Sequence, residues 1–552
     1  MNIISKSGEI NIAFTIIIAF IISSNSMLYY PYRTYAQQGN DNDSALNITQ
    51  GIASGDVTDH SAIIWARANR DAQMNVQYYD NNLPLSSISN SSNMSTSVNQ
   101  TTDFTGHIKL DGLKPDTPYH YHVWFSSFSS DSNIDNKNQT IKSDLQTGNF
   151  TTAPDPSSNE SSGRPIRFVI GGDLGGSMYC RRPDIGYSIF SVMKSLSPDF
   201  FIFNGDQIYA DFPCPAEGPN PTDIAQHRKP LYPSWHNIPG NFSDISQVNW
   251  TNINDLHSNF LKHWEYNRND SHLQGLLRNT SMYSQLDDHE VLNDYGGNWT
   301  YYKNPNTKGF QNVVKEGINA FFNFSPIERN SNEHNRIYRS FHWGKDLDLF
   351  ILDARSYRSR NDYPDTLQFN KTLLGKEQLH WLEQGLLNSK ATWKVISTDV
   401  PITIPSCFRS SFSINNGCDN WATSYDNNKT FVRERSEFLN FLDNHNIKNV
   451  IFLATDVHFA ANVKVDEDPN HDGNRLLFYE LANGPLSTFA KNTTNPLDPT
   501  LHANYLYNES AMFNFGYAII NKTGGNTHFI YHVIDTDGRI RPKSDLDITP
   551  QQ

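Results

Sequence analysis

Six short apolar runs in this chain each end on an aspartate. RFVIGG leads to Asp173, DFFIFNG to Asp206, MYSQL to Asp287 and Asp288, LDLFIL to Asp353, WKVIST to Asp399, and NVIFLAT to Asp456. Runs of this length bounded by turn signals read as buried strands. In layered α/β proteins, ligands collect at the carboxyl ends of such strands. Carboxylates gathered there repel one another unless cations neutralise them. Tyr209, His289 and His458 follow three of the aspartates closely. The pattern therefore predicts an α/β fold with a metal centre at one end of its strands.

At 552 residues the chain exceeds one typical domain. A hydrophobic share of 37 % with 12 % aromatics is enough for a packed core. The formal net charge of −14 argues against nucleic-acid binding, which requires a basic face. Residues 1–36 carry Lys6, an apolar run from Ile10 to Ile22, and Thr34-Tyr35-Ala36 as a small-residue cleavage motif. This reads as a signal peptide or, if uncleaved, an N-terminal membrane anchor. A secreted or cell-surface protein follows. Dense Asn-x-Ser/Thr sequons, such as Asn47, Asn93, Asn99, Asn138, Asn249, Asn298, Asn428 and Asn492, agree with that and allow glycosylation. Four cysteines fit too: Cys407 with Cys418 could close a short loop, and Cys180 with Cys214 could join two others. Free buried thiols are the alternative.

The residues after Ala36 read as a tether. Residues 48–154 carry only β signals: His60–Arg67, Met74–Tyr79, His107–Leu110 and Gly148–Thr152. Leu113, a Pro-containing turn and Tyr119 resemble a tyrosine corner, so this segment reads as a fibronectin-III-like or immunoglobulin-like sandwich. The low-complexity stretch Ser86–Thr102 reads as a loop within it. Pro154–Arg164 reads as a linker, and residues 165–545 as the α/β catalytic domain. Helices are predicted over Ile185–Leu196, Val313–Phe324, Lys376–Leu387 and Thr430–His445. The Pro-, Asn- and aromatic-rich stretch Pro213–Trp250 reads as a cover over the site.

Three motifs carry chemistry. In Gly205-Asp206-Gln-Ile-Tyr209, a carboxylate and a phenol three residues apart can return to one ion, and phenolate favours a hard trivalent metal. In Asp287-Asp288-His289-Glu290, a carboxylate beside an imidazole pairs a ligand with a general acid; a capped helix start is the bland alternative. In Asp456-Val-His458, residues two apart face one side of an extended segment. A fourth, Asp353-Ala-Arg355-Ser-Tyr357-Arg358, offers guanidinium groups for phosphate oxygens, or a buried Asp353–arginine salt bridge that orders the site.

Taken in chain order, GDQIYAD, DDHEVLND, LDARSYR and TDVHFA resemble the calcineurin-like metallophosphoesterases, and within them the PhoD-like alkaline phosphatases. The resemblance runs from Ile48 to about Val533. It implies a front β-sandwich and a two-sheet αββα catalytic domain. It further implies a binuclear centre bridged by Asp206. Asp173, Tyr209 and His458 would complete a site for Fe3+, and Asp288, Asp399 and Asp456 would hold a second ion. His289 would be the acid/base, and Asp287, Asp353, Arg355 and Arg358 would bind phosphate or support the ligands. Asp399 and Asp456 stand where many relatives have histidines, which makes the second position nearly all oxygen and suits Ca2+, or Mg2+ or Mn2+, better than Zn2+. The cysteine that better-known members carry in the first block is missing from Gly171-Gly-Asp173-Leu-Gly-Gly176.

The implied activity is hydrolysis of phosphate monoesters or diesters, for phosphate acquisition outside the cell. A phospholipase D-like phosphodiesterase is one alternative. A non-catalytic surface protein whose sandwich binds a glycan or another partner is a second.

Overall fold

A computed structural model describes residues 45–551 except 82–91, 129–139, 159–162, 220–234, 298, 301–307, 331, 408–416, 425–428 and 472. The leader and tether expected over residues 1–44 lie outside the described residues, as do sequons Asn138, Asn298 and Asn428 and part of the expected cover.

Seven strands come first: β1 (Ile48–Gly55), β2 (Ser61–Ala68), β3 (Ala72–Asp80), β4 (Ser92–Val98), β5 (Thr105–Asp111), β6 (Pro118–Ser126) and β7 (Gln146–Thr151). Strands and helices then alternate through β8 (Ile166–Gly171), α1 (Ile189–Ser195), β9 (Phe200–Asn204), α2 (Ile253–Arg268), α3 (Ser271–Leu277), β10 (Ser281–Gln285) and α4 (Phe310–Phe324). The next group is β11 (Arg339–Trp343), β12 (Leu347–Ile351), α5 (Lys376–Asn388), β13 (Trp393–Ser397), α6 (Val432–Asn444) and β14 (Val450–Ala454). The chain ends with β15 (Ala460–Glu467), β16 (Leu476–Ala482), β17 (Ala503–Glu509), β18 (Asn514–Thr523), β19 (Asn526–Asp535) and β20 (Leu546–Ile548).

All six aspartate-ended runs are strands. β8, β9 and β10 are parallel neighbours in one sheet, and β12, β13 and β14 are parallel neighbours in another. Their faces alternate. Phe200 and Ile202 of β9 enter a core shared with Leu349, Ile351, Val395 and Leu453 of the other sheet. Phe201 and Phe203 point the other way, into a core with α1, α2, α3 and α4. Helices α5 and α6 cover the second sheet's far face through Leu382, Leu386, Phe438 and Leu442. Two sheets between two helical layers is the expected αββα sandwich. Each large apolar side chain buried this way contributes about 1.5–3 kcal/mol, so the sheet stack is the dominant source of stability.

The front region is the expected sandwich, with one sheet that is not its own. β4-β3-β6-β7 form one layer, packed through Met74, Val76, Tyr121 and Val123 against Ile64, Ala66 and Ile108. The opposing layer, β1-β2-β5, continues the nine-stranded sheet β20-β19-β18-β8-β9-β10-β1-β2-β5, because β1 pairs in parallel with β10. Arg339 grips Asp56 with Nη2 at 2.7 Å, and Tyr283 Oη donates to the Val57 carbonyl at 2.6 Å. The tyrosine corner is present: the Lys114 amide donates to Tyr119 Oη at 2.9 Å, and the Tyr119 ring stacks on Phe150.

Two expectations need correction. The stretch Ser86–Thr102 is not all loop, since β4 lies in it and zips onto β3 from Tyr78↔Ser92 to Ala72↔Val98. Backbone pairing at a sheet edge needs few apolar side chains, which is why composition hid it. Helices α2 and α3 were not anticipated. Their caps are conventional: Asn252 accepts from the Asp255 amide, and Asp270 from those of His272 and Leu273. But α2 buries Asn259, His263, Asn267 and Arg268 among its apolar residues, which blurs its hydrophobic stripe.

Candidate metal centre

The strand ends are shaped by their backbone. Asp173 (φ 61°), Asp206 (φ 49°), Asp456 (φ 66°) and His458 (φ 57°) are all left-handed, as is Asp294 (φ 53°). Side-chain-bearing residues seldom adopt this conformation, and its clustering marks a site where the surroundings hold the strain. Gly205 makes the close approach of two strand ends possible: a Cβ there would lie 2.5 Å from the Asp287 Cβ. The sheets are tied together behind the aspartates by buried polar groups. Asn204 Nδ2 donates to Ser397 Oγ at 3.0 Å, Ser397 Oγ donates to Gln285 Oε1 at 2.6 Å, and Gln285 Nε2 donates to the Leu352 and Ser397 carbonyls at 3.0 Å. Thr455 Oγ1 donates to the Asn204 carbonyl at 2.6 Å.

In front of this layer the acidic side chains converge. The Asp456 amide reaches Asp173 Oδ1 at 3.4 Å across the two sheets, and the His289 amide donates to Asp206 Oδ1 at 3.1 Å. Three groups each place ligand atoms within 4.8 Å of one another: Asp206–Asp288–His289, Asp287–Asp288–Asp456, and Asp288–Asp294–Asp419. Asp288 is common to all three. Asp173, Asp399 and His458 join no such group among the described residues, although Asp399 comes within 3.3 Å of Arg355 Nε.

Arg355 is fully buried and sits among the carboxylates. Its Nε meets Asp287 at 2.6 Å, Nη1 meets Asp419 at 2.6 Å, and Nη2 lies 3.6 Å from Asp288 and 3.5 Å from Asp456. The alternative of an Asp353–arginine salt bridge is not formed among the described residues. Asp353 Oδ1 instead accepts the amides of Arg355 and Ser356 at 3.1 and 2.8 Å, so it caps the turn that aims Arg355. Arg358 binds Asp419 Oδ1 and the Ala354 carbonyl. Asp419 follows Cys418, whose disulfide to Cys407 is present, as is Cys180–Cys214. Both cysteine pairings match expectation.

His289 is held from both sides. Nδ1 lies 2.6 Å from Asp211 Oδ1, and the ring stacks on Tyr209 at 4.1 Å. His458 Nδ1 donates to the Phe489 carbonyl at 2.8 Å, which in the neutral ring places the lone pair on Nε2. Sequence reasoning did not assign Asp211, Glu290 or Asp419. Glu290 accepts the amides of Asp206, Gln207 and Asp287 at 3.2, 2.5 and 2.9 Å, fastening the two loops to each other. Asp211 and Glu290 lie inside the GDQIYAD and DDHEVLND blocks, so their motif membership was the available signal. Asp419 carried none beyond its neighbouring cysteine.

Burial pushes Asp173 and Asp206 far above the ordinary carboxylate range, and Asp456 adds to the effect at Asp173. Burial and then Asp419 push Asp456 up to about 7. At Asp288 burial raises the carboxyl, but Arg355 and His289 outweigh it and hold it at about 2. A cation relieves this kind of mutual repulsion. The donor atoms fit one: Asp173 Oδ2, Tyr209 Oη, Asp287 Oδ2, Asp288 Oδ1, Asp399 Oδ2 and Asp456 Oδ2 are buried without a hydrogen-bond partner. Buried oxygens in native proteins are nearly always hydrogen-bonded, so this concentration of oxygens without a hydrogen bond could hold a metal ion.

Known proteins share the family and the fold. The family profile of the PhoD-like phosphatases matches residues 174–529, and that of their N-terminal domain residues 34–154. Alkaline phosphatase D of Bacillus subtilis (strain 168) is 24 % identical over 447 residues, covering 77 % of this chain and 67 % of that protein. Among solved structures, PhoD superposes with a TM-score of 0.64 at 17 % identity, covering 93 % of this chain and 94 % of that one. A purple acid phosphatase from yellow lupin (Lupinus luteus) seeds superposes with a TM-score of 0.55 at 13 % identity, covering 91 % and 74 %. Fold, acidic strand ends and family profiles lead to one conclusion: the chain belongs to the PhoD-like phosphatases and is a hydrolase of phosphoric esters.

Proposed function

We propose that this chain is an exported phosphatase with two cations at the strand ends. Asp173, Asp206, Tyr209 and His458 would hold Fe3+, and Asp288, Asp399 and Asp456 would hold Ca2+, with Mg2+ or Mn2+ as substitutes. The observation that carries this reading is the set of six buried oxygens without a hydrogen bond, five of which belong to these residues. Bound there, the cations would supply Lewis acidity toward a phosphoryl oxygen and acidify a water molecule to near neutral pH.

The chain's own residues do the rest. Asp211 holds His289 by Nδ1, which leaves Nε2 to pass a proton to the leaving oxygen. Asp287 and Asp419 occupy the Arg355 guanidinium, so its role is to order the carboxylates rather than to seize substrate. Arg358 supports Asp419 in the same way. Two disulfides suit an oxidising compartment, and no helix among the described residues is long and apolar enough to cross a membrane. Release of orthophosphate from organic esters outside the cell is the role that fits.

The test is elemental analysis of protein purified without added metal, together with turnover of p-nitrophenyl phosphate and its bis ester. Bound iron with a divalent ion, and loss of turnover in Asp206→Asn and His289→Ala, are expected. Full activity in both variants, or turnover undiminished after complete metal removal, would overturn the reading. The monoester-to-diester ratio assigns the substrate class.

A further inference from the structure

The outer face of the four-stranded front sheet has an unusual surface. Of all residues on β3, β4, β6 and β7, one is charged: Asp80, which is buried and paired with Lys114 at 3.0 Å. The chain as a whole is 18 % charged. Solvent-facing strands normally carry much of that share, and charge on exposed strands guards against aggregation. This sheet turns outward amides and rings instead.

Register places them in rows. Asn75 lies opposite Trp124, Gln77 opposite His122, and Tyr79 opposite His120, all on the outward side and all partly exposed. The rings form a continuous strip: Tyr79 lies 5.4 Å from His120 and 5.6 Å from His122. His122 Nδ1 sits 2.9 Å from Thr147 Oγ1, which fixes the imidazole plane. Burial first, and then His120, hold the His122 imidazole below its ordinary pKa. The flanking strands add serine, threonine and asparagine at outward positions.

Such a face offers flat rings beside amide groups, and its four strands point no charged side chain outward. Rings that stack, bordered by groups that both give and accept hydrogen bonds, match an uncharged ligand with hydroxyls on its rim and C–H groups on its faces. A basic or acidic polymer finds no counter-charge here. We propose that the outer face of β4-β3-β6-β7 binds a neutral polysaccharide, with Trp124 and Tyr79 as stacking platforms, Asn75 Oδ1 beside them as a hydroxyl acceptor while its Nδ2 is held by the Gln73 carbonyl and Ser126 Oγ, and Gln77 on the same rim. The site belongs to the front sandwich and is independent of the catalytic chemistry.

Affinity electrophoresis of the full chain tests this, in native gels containing laminarin, mannan or xylan, with polygalacturonate as the anionic comparison. At least one neutral polysaccharide is expected to retard the protein, and Tyr79→Ala/Trp124→Ala to weaken retardation at least tenfold while p-nitrophenyl phosphate turnover stays at the wild-type level. Turnover reports that the variant is folded. Asn75→Asp/Gln77→Glu, which adds charge without removing a ring, should weaken binding similarly. Mobility unaffected by all three neutral polysaccharides, retardation by polygalacturonate alone, or full retardation of both variants would overturn the proposal.

Discussion

Glu290→Gln separates holding the fold from holding the site. The wild-type carboxylate is buried and takes three amides, with Oε2 serving Asp206 and Asp287 and Oε1 serving Gln207. A glutamine keeps one acceptor. If its oxygen serves Asp206 and Asp287, its NH2 faces the Gln207 amide, and a buried donor loses its partner at about 1–3 kcal/mol. Against this, burial pushes Glu290 up to about 7 from an ordinary 4.5. In metal-free protein at pH 8, that is about 3 kcal/mol against the ionised form, a cost the amide escapes. The two effects nearly cancel, so the stability of metal-stripped Glu290→Gln should stay within about 2 kcal/mol of wild type by urea unfolding. The site should not survive as well. Asp206 and Asp288 ride on the loops Glu290 joins, and losing such support typically lowers metal affinity about 10–100-fold. Titration of stripped protein with Mn2+, followed by turnover, measures that. Wild-type metal affinity and turnover in the variant would refute the reasoning, as would a stability loss above about 4 kcal/mol.

Other expectations follow from the same structure. His289→Ala should lower kcat about 10²–10⁴-fold, the usual contribution of a general acid, and Asp211→Asn should lower it by less while altering the pH–rate profile; equal turnover in wild type and Asp211→Asn would show that the 2.6 Å contact does not position the ring. His257 bridges Asp103 and Glu316, whose hydrogen bonds raise it to about 10 against the ordinary 6.5. Its stabilisation is therefore fully present below about pH 6.5 and disappears as pH rises through 10; the gap in thermal midpoint between wild type and His257→Gln should shrink over that range, and a pH-independent gap contradicts the assignment. Cys407→Ser/Cys418→Ser should cost about 2–3 kcal/mol for a loop this short and should also weaken turnover, because Asp419 is the next residue; unchanged turnover would detach Asp419 from the site.

The aspartates could be read from sequence because each closes a short, mostly apolar run, as a strand buried between two layers requires. His289, Tyr209 and His458 were readable as neighbours of those turns. Arg355 was visible but its partners were not: Asp287, Asp399, Asp419 and Asp456 come from four separate segments, and only tertiary structure brings them to one guanidinium. Glu290 sits in a motif that also reads as a capped helix start, whereas two of its three backbone partners lie on the loop after β9, more than eighty residues earlier. The boundary at Pro154–Arg164 was read from composition. Composition reports local chain character, and the pairing of β1 with β10 is not local.

That pairing has a consequence for how the chain is made. Gly55 of β1 meets Met282 of β10. On a ribosome adding about 5–20 residues per second, the front strands wait roughly ten to fifty seconds for their neighbour. During that time β1 presents a bare edge, a template for wrong partners. Removing the first 154 residues would transfer the same exposure to β10, directly beneath Asp287 and Asp288. The front region is thus a built-in edge guard for the strand that leads to Asp287 and Asp288.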